Sequence, residues 1–366
     1  MGIINLQDKN LFYIGGVVRD ELLGKKSFDI DLTYQGNAIE FAQTIPDAEI
    51  IQVNEPFGTV RIKLQNQEID IASTRDETYP QKGHLPQVTN IGCSLKKDIL
   101  RRDFTINALA KSTLTGEIID YTGGLEDLKN KRLRILHNKS FIDDPTRIVR
   151  GLKFSIRFDF ELEDNTKKLQ DEYLGNINYD ISYKRLKKEL IETFNLNSQK
   201  AFDRFVNEKI YKLLSPKEFQ PPKNNNIETL INKYSPKTVW IIYVGLLPDI
   251  SRLPLTKTEK KIVDDFQTLK SKKFESDFNI YKTFQNINLE TIIMYSVINP
   301  DITKKYLESL RYIKLEITGE DLCRLNIKPS IEYQKCFDFI LSEKIKNPDI
   351  TKSREVLLAK KYFNLI

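Results

Sequence analysis

The chain has 366 residues with a formal net charge of +6; 30% of the residues are charged and 40% are hydrophobic. This length predicts two or more domains with a sizeable core, and the composition is typical of an ordinary globular protein. No apolar run is long enough to cross a bilayer, and the first ten residues lack the apolar core of a signal peptide. We therefore expect a cytoplasmic protein with no membrane partner, and the sequence leaves its oligomeric state open.

Cysteine and histidine are too scarce to support zinc or histidine-based catalysis. Cys93, Cys323 and Cys336 have no metal-ligand spacing, which predicts three reduced thiols. With only His84 and His137 available, carboxylate chemistry with a cation is favoured. The small basic excess is compatible with a polyanionic partner.

Residues 11 to about 140 alternate short apolar runs with helical patterns, which is typical of an α/β domain. A strand at 11–14 leads through Gly15-Gly16 into a helix at 17–23. The next predicted elements are a strand at 28–32, a helix at 38–44 and strands at 49–53, 59–64 and 68–73.

Asp29 and Asp31 stand two residues apart in the otherwise apolar run 28–32. Alternate side chains of a strand share a face, so both carboxylates would point the same way. Two neighbouring anions repel each other unless a cation lies between them, and carboxylate oxygens suit Mg²⁺. Taken alone, the pair is more simply interpreted as two exposed acids. Asp70, on the polar face of the strand at 68–73, would either reach the same cation or be a surface acid.

Later parts of the chain predict a loop, a few more strands and then helices alone. Residues 74–88 lack periodicity and predict a polar loop long enough to act as a flap. Next come a helix at 95–110 and a strand pair with the Gly123-Gly124 turn and residues 133–136. Beyond residue 145 the pattern is helical, and the Pro- and Asn-rich stretch 215–226 predicts a linker. The first predicted helices there are 145–158, 166–174, 182–194 and 198–205.

Gly15-Gly16 at a strand-to-helix turn would let the backbone approach a phosphate group closely. Arg19, in the first turn of the helix, would add a positive charge. A Gly-Gly turn alone is usually only a tight turn. Followed by Asp29 and Asp31, it predicts a triphosphate site beside a metal.

The helix at 145–158 carries a basic stripe that includes Arg147 and Arg150, opposite an apolar stripe. Asp144 precedes Pro145, which is also a common helix start. A carboxylate accepts a hydrogen bond from an exocyclic amine, while a guanidinium donates one to a ring nitrogen. Asp144 and Arg147 would therefore admit cytosine and adenine and refuse uracil and guanine.

Six short motifs, in this order, resemble those of class II tRNA nucleotidyltransferases, the family of CCA-adding, CC-adding and A-adding enzymes and close relatives of bacterial poly(A) polymerases. They cover roughly residues 11–160 and are Gly15 to Asp20, Asp29 to Asp31, Phe57 to Thr59, Arg101 to Asn107, Asp120 to Arg134, and Asp143 to Arg147. The sequence after Asp31 lacks the basic signature that usually follows this motif in poly(A) polymerases.

The resemblance implies a polymerase-β-like head in which Asp29 and Asp31 hold two Mg²⁺ ions, with Asp70 as a possible third catalytic carboxylate. The residues implied for nucleotide binding are Gly15, Gly16 and Arg19 on the phosphates, Arg102, Asp103 and Asn107 in the ribose motif, and Asp144, Arg147 and Arg150 near the base. The loop at 74–88 corresponds to a flexible loop that assists the change from C to A addition. Two departures are Asp143, where glutamate is usual, and Lys153, where a third arginine is common.

The predicted fold is an α/β polymerase-β-like nucleotidyltransferase head followed by an elongated all-α neck, body and tail. The expected domains are the head at 1–138, a neck for base recognition at 139–215, and a tRNA-binding body and tail at 216–366. The implied function is addition of CMP and AMP from CTP and ATP to the tRNA 3′ end without a template. The alternatives are an A-adding or CC-adding specialist, then a poly(A) polymerase, then an inactive RNA-binding protein.

Overall fold

A computed structural model of the chain describes residues 6–26, 30–222 and 226–366. The chain forms two compact units: Met1–Phe219 with Asp249–Pro254, and Gln220–Pro248 with Leu255–Ile366. The change between them falls inside the stretch 215–226. The three-domain division remains a prediction.

The first part of the first unit is an α/β head, as the sequence predicts. Its strands are β1 (Leu11–Ile14), β2 (Ile30–Tyr34), β3 (Glu49–Asn54), β4 (Thr59–Leu64), β5 (Gln67–Ser73), β6 (Arg75–Thr78), β7 (Gln87–Ile91), β8 (Leu109–Ser112) and β9 (Ile118–Asp120). Its helices are α1 (Gly16–Leu22), α2 (Ala38–Gln43), α3 (Leu95–Leu100) and α4 (Gly124–Lys129).

Within the described residues, seven of these strands form one sheet in the order β3-β4-β5-β2-β1-β8-β9. β2 runs parallel to β5, and the other neighbouring pairs are antiparallel. The parallel register places Asp31 directly beside Asp70. The sheet thus brings two predicted carboxylates together from positions 39 residues apart in the chain.

The two faces of the sheet are covered to different extents. One face packs against α2, where Ala38 and Ala42 join a core that includes Leu32, Ile62 and Ile71. On the opposite face, α3 covers the β1 and β8 end through Leu95 and Ile99. On that second face, the side chains of β2, β5, β4 and β3 border an open cleft.

The predicted helix at 95–110 is correct only for its first half. α3 ends at Leu100, and Phe104 takes up an extended conformation, because the Asp103 carboxylate accepts the N–H of Phe104 at 2.7 Å. A short 3₁₀ turn, Thr105–Asn107, then leads into β8. The break places Asp103 and Asn107 beside the cleft instead of along a helix.

The predicted loop at 74–88 is wrong at both ends, where β6 and β7 pair as an antiparallel hairpin. The sequence gives no strand signal for β6, because charged residues take the alternate positions where a half-buried strand usually has apolar ones. Arg75 and Glu77 form an ion pair at 2.7 Å, and the Glu77 side chain is only 3% exposed. Residues 79–86 form the tip of this hairpin.

The predicted strand pair about Gly123-Gly124 is also wrong, because α4 begins there. The Asp120 carboxylate accepts the N–H groups of four residues at the start of α4. A capping carboxylate after a strand therefore starts a helix here. Residues 133–136 contribute only the end of β10 (Arg132–Leu133), which pairs with β11 (Glu161–Leu162).

The remainder of the first unit is helical. Its helices are α5 (Ser140–Asp143), α6 (Thr146–Phe158), α7 (Asp164–Gly175), α8 (Tyr183–Phe194) and α9 (Ser198–Asn207). α6 packs against α8 and α9. The apolar stripe of α6 is buried at Ile148, Val149 and Leu152, as its 3.6-residue period predicts.

The second unit is helical in the part that the structure describes. Its helices are α10 (Ile227–Tyr234), α11 (Val239–Val244), α12 (Lys257–Lys270), α13 (Asp277–Phe284), α14 (Leu289–Tyr295), α15 (Pro300–Glu308), α16 (Gly319–Arg324), α17 (Glu332–Lys346) and α18 (Lys352–Tyr362). One core centres on Phe284 and Tyr306, and a second on Leu322 and Ile340. None of the helices described in this chain has the length and apolar character needed to cross a membrane.

Candidate active site

A cleft of about 640 Å³ lies on the open face of the head sheet and is bordered by α6. Several predicted site residues line it together. They are Gly15, Gly16, Arg19, Asp31, Asp70, Arg102, Asp103, Asn107 and Arg150. Asp29 lies outside the described residues. Asp144 and Arg147 do not belong to the lining.

Gly15 forms a tight turn between β1 and α1 at the edge of the cleft. Its φ of 69° lies in the left-handed region that glycine tolerates best. A Cβ at this position would lie 3.3 Å from Arg102 Nη1 and 3.3 Å from the Asn107 carbonyl oxygen. The turn therefore favours glycine, and a larger residue would also press on Arg102 and Asn107.

Arg19 is buried between α1 and α6, with 4% of its surface exposed. Its guanidinium donates to Asp20 at 2.8 Å and to the Asn107 side chain, and it lies 4.5 Å from the centre of the Phe158 ring. The residue borders the cleft, but much of its hydrogen-bonding capacity is used within the protein. Arg19 thus joins the head to α6 in addition to supplying positive charge.

Asp31 and Asp70 lie side by side on the open face, in environments that differ. The Asp31 residue is exposed at the cleft. Asp70 accepts two hydrogen bonds from Arg61, Nε to Oδ1 and Nη2 to Oδ2, both at 2.8 Å. Such a bidentate ion pair neutralises the carboxylate. Sequence reasoning missed Arg61, although its place opposite Asp70 on a neighbouring strand follows from the hairpin register.

Asp103 is held as an anion at the foot of the cleft. Arg150 Nη2 lies 2.7 Å from Asp103 Oδ2, and Asn107 donates to Oδ1 at 3.0 Å. Burial by itself would raise the pKa of Asp103, but Arg150, Asn107 and Arg147 outweigh it and hold the pKa well below its usual range. Asp103 is therefore available only as a hydrogen-bond acceptor.

Replacing Asp103 by asparagine should lower the free energy of unfolding by roughly 2 kcal/mol at neutral pH. The folded-state pKa is depressed, so the carboxylate stabilises the fold above its unfolded pKa of about 4 and loses that effect as the pH falls further. The difference between wild type and Asp103→Asn should consequently shrink between about pH 5 and pH 2. Urea unfolding followed by circular dichroism measures it, since the single tryptophan, Trp240, reports on the second unit. A difference that did not change with pH would contradict the ion-pair assignment.

A buried carboxylate organises the arginine wall of the cleft. Asp98 is 0% exposed and accepts from Arg101 at 2.6 Å, from Arg102 at 3.1 Å and from the backbone N–H of Arg75 at 3.1 Å. Arg101 also pairs with Glu77 at 3.0 Å. Sequence reasoning missed Asp98, Arg75 and Arg101, although the i, i+3, i+4 spacing from Asp98 to the two arginines was a usable signal.

The cleft is lined by many arginines, several of which pair with acids behind the lining such as Asp98 and Glu77. Among the described lining residues there are six arginines against three aspartates, an excess of three positive charges. The arginines are Arg19, Arg61, Arg75, Arg101, Arg102 and Arg150. Guanidinium groups are well suited to phosphate oxygens because they donate in a planar fork.

Asp144 makes its hydrogen bonds within the protein. Arg185 of α8 donates to both of its oxygens, at 2.6 and 3.2 Å, and Thr146 donates to Oδ1 from its hydroxyl at 2.6 Å and from its backbone N–H at 3.2 Å. The residue is 4% exposed. These four bonds orient the carboxylate.

Arg147 is held separately from Asp144. Its guanidinium donates to the Ser140 hydroxyl at 2.6 Å, to the Arg101 carbonyl at 3.1 Å and to the Tyr79 hydroxyl at 3.2 Å. The two residues predicted to select a base thus lie on either side of the start of α6 and have different partners. Tyr79 and Arg185 were not predicted from the sequence.

The tip of the β6–β7 hairpin is bonded to the segment that precedes α8. Gly83 donates its N–H to the Asp143 carbonyl and accepts the N–H of Ser182, both at 2.9 Å. His84 Nε2 lies 2.9 Å from Asp180 Oδ1. The hairpin tip therefore lies against the start of α6 and α8, beside Asp144.

Some known proteins match the chain only over its head, and others match nearly its whole length. Residues 11–134 match the family model described as the poly A polymerase head domain. The chain is 28% identical to an A-adding tRNA nucleotidyltransferase of Halalkalibacterium halodurans, over 97% of the chain and 89% of that protein. It is 34% identical to a CCA-adding enzyme of Enterococcus faecalis, over 57% of the chain and about half (51%) of that protein.

A solved structure shares the architecture of the whole chain. The Thermotoga maritima CCA-adding enzyme, complexed with tRNA ending in CCA, matches with a TM-score of 0.74 and 26% identity, over 97% of this chain and 91% of that one. The motif order, the head sheet and these likenesses agree. In these respects the chain is similar to the class II tRNA nucleotidyltransferases.

Proposed function

We propose that this protein adds CMP and AMP from CTP and ATP to the 3′ end of tRNA, building the CCA terminus without a nucleic-acid template. The observation that carries the proposal is the cleft, where six arginines surround Asp31 and the ribose-motif residue Asp103. A cleft lined by arginines, with the Asp31 carboxylate exposed in it, suits a nucleoside triphosphate and its cation. The likeness to A-adding and CCA-adding enzymes supports tRNA as the acceptor.

The residues present fit a divalent cation at Asp31. Its carboxylate lies at the cleft, while the Asp70 carboxylate is already neutralised by Arg61. Among the described residues, no cluster of three or more His, Cys, Asp or Glu side chains is arranged to hold a metal. We therefore assign the Mg²⁺ site to Asp31 together with Asp29, and leave Asp70 as its neighbour. A bound Mg²⁺ would offset the triphosphate charge and help to ionise the attacking hydroxyl.

In the proposed reaction the RNA 3′ oxygen forms a bond to the α-phosphorus of the nucleotide. The bond from that phosphorus to the oxygen bridging the β-phosphorus breaks, pyrophosphate leaves with the electron pair, and the hydroxyl proton passes to solvent. The chain's own part is to bind and orient the reactants. Arg102 would donate to the triphosphate and ribose, and Asp103 would accept from a ribose hydroxyl.

The proposed base selection rests on Asp144 and Arg147. The described contacts of the Asp144 carboxylate leave room on Oδ2 for one further donor, such as the exocyclic amine of cytosine or adenine. The Arg147 guanidinium would then donate to the ring nitrogen. Because both side chains lie outside the cleft lining, the base would enter only after Tyr79 and the hairpin tip move away from the neck.

A second candidate is addition of the terminal A alone. It is favoured by the 28% identity, over nearly the whole chain, to a relative named as an A-adding enzyme. Asp144 and Arg147 suit either base, so the two candidates share one site.

The basic clusters 184–188, 257–261 and 270–273 of the helical remainder are proposed to follow the tRNA backbone. Three free cysteines are in keeping with a cytoplasmic location.

Product lengths should identify the activity. The protein is incubated with Mg²⁺, CTP, ATP and tRNA that ends at the discriminator base or in CC, and the products are separated at single-nucleotide resolution. Three added nucleotides on the first tRNA support CCA addition, whereas growth by one A on the second tRNA alone supports the A-adding candidate. Addition of two C residues only, or of long A tracts on any RNA, would overturn both candidates. No extension of either tRNA would favour an inactive RNA-binding protein.

A further inference from the structure

Four polar side chains form a straight row across the open face of the head sheet. Gln52 on β3 is in register with Arg61 on β4, Arg61 with Asp70 on β5, and Asp70 with Asp31 on β2. Residues in register across neighbouring strands point to the same face. At about 4.8 Å per strand, the row extends roughly 14 Å from Asp31 to the sheet edge.

All four residues of the row line the cleft, and so does Asn54, two residues beyond Gln52 on the edge strand. Every residue of β3 is exposed. The Arg61 side chain is 42% exposed although it pairs with Asp70. The row is therefore an accessible surface that begins at the proposed metal ligand and ends at the edge of the sheet.

The other side of the cleft is lined by the residues proposed for the incoming nucleotide. Gly15, Gly16 and Arg102 lie beyond β1, on the side of Asp31 away from β5. Phosphoryl transfer places the attacking oxygen and the leaving group roughly in line, on opposite sides of the reacting phosphorus. If pyrophosphate leaves toward Gly15, the attacking RNA end has to approach from the β5, β4 and β3 side.

We propose that Gln52 and Arg61, with Asn54 beside them, form the subsite for the single-stranded 3′ end of the acceptor RNA. This inference rests on the proposed nucleotidyltransferase function. Arg61 pairs with Asp70 and lies 3.8 Å from Glu68, but its side chain is 42% exposed at the cleft, so the guanidinium can also face the last phosphodiester. The two amides donate and accept, which suits ribose hydroxyls and base edges of more than one kind.

Within this row, the Arg61–Asp70 ion pair affects how the RNA phosphates can approach Asp31. Without Arg61, Asp70 would be an unpaired anion next to Asp31 and would repel the phosphates of the RNA. With it, the pair is electrically neutral, and the guanidinium faces the cleft one strand farther from Asp31. The pair thus separates the metal-binding end of the cleft from its RNA-binding end.

The test measures whether a substitution in the row changes the KM for tRNA without changing the KM for nucleotide. Gln52→Glu is nearly isosteric and puts a negative charge on the proposed RNA path, so the KM for tRNA should rise about tenfold. The KM for CTP or ATP should stay within about twofold, because these bind on the other side of Asp31. Gln67→Glu adds the same charge at an exposed position of β5 outside the cleft lining, and should leave both constants within about twofold.

A second variant examines Arg61 itself. Arg61→Lys keeps the charge but loses the planar fork, and should raise the KM for tRNA severalfold. A rise in the KM for nucleotide with that for tRNA unchanged, or no change in either, would overturn the subsite. Anisotropy of a fluorescent single-stranded RNA ending in CC, measured without nucleotide, tests it without turnover. If the wild-type protein binds RNA but adds no nucleotide, and Gln52→Glu weakens that binding, the subsite is supported and the proposed function is rejected.

Discussion

Replacing Asp31 by asparagine should reduce nucleotide incorporation by about a thousandfold or more. The change keeps the shape of the side chain but removes the negative charge that would hold the cation. A loss of about 4 kcal/mol in transition-state stabilisation corresponds to that factor. Radiolabelled CMP or AMP incorporation into tRNA, at saturating nucleotide and Mg²⁺, measures it. Circular dichroism should be unchanged, because Asp31 is exposed.

Asp70 provides the matched comparison for this experiment. Because Arg61 already neutralises its carboxylate, Asp70→Asn should reduce incorporation much less than Asp31→Asn. Electrophoretic mobility shifts should show that Asp31→Asn still binds tRNA, since the proposed tRNA contacts lie elsewhere. Near wild-type turnover by Asp31→Asn would show that the metal assignment is wrong. Equal losses in the two variants would show that Asp70 is also a ligand.

Replacing Asp98 by asparagine should destabilise the protein by roughly 3 kcal/mol and raise the KM for nucleotide. The carboxylate is fully buried and pairs with Arg101 and Arg102 at once. The pKa of Asp98 is lowered, because the two arginines outweigh the effect of burial, which alone would raise it. Without the anion, two cations remain beside each other with less compensation, and their side chains lose their fixed places in the cleft wall.

Thermal unfolding and steady-state kinetics together check this expectation. The control is Asp171→Asn on α7, where a carboxylate 54% exposed pairs with Lys167 one turn away. Surface pairs of this kind contribute little, so the control should change stability by less than about 0.5 kcal/mol. A stable Asp98→Asn with an unchanged KM would mean that the arginine wall does not depend on Asp98.

Local pattern was enough to predict the elements with a clear period. The strands β1, β4 and β5 and the helix α6 lie where apolar alternation or a 3.6-residue stripe placed them. The hydrophobic pattern predicted the wrong secondary structure where hydrogen bonds and ion pairs of side chains determine the backbone conformation. Asp103 holds Phe104 in an extended conformation inside the predicted helix at 95–110, Asp120 starts α4, and the charged pair of Arg75 and Glu77 occupies β6.

The candidate site was predicted in its parts but not in its arrangement. Motif order singled out Asp31, Arg102 and Asp103, and the structure places all three along one cleft. The partners Arg61, Asp98 and Arg185 were missed, because an ion pair across strands or helices leaves no local pattern. Asp144 lies just before α6 and Arg147 in its first turn, as predicted, yet each is bonded to a different element.

By itself, the sequence determined the α/β head, the helical remainder and the likeness to the nucleotidyltransferases, because these follow from periodicity and from the order of short motifs. Tertiary structure alone decided that Arg61 pairs with Asp70 and that Asp70 lies beside Asp31 at the cleft, since both follow from strand register. It also decided that a row of polar side chains leads from Asp31 to the sheet edge. Register depends on which strands become neighbours, and that choice is made by the packing of the whole head.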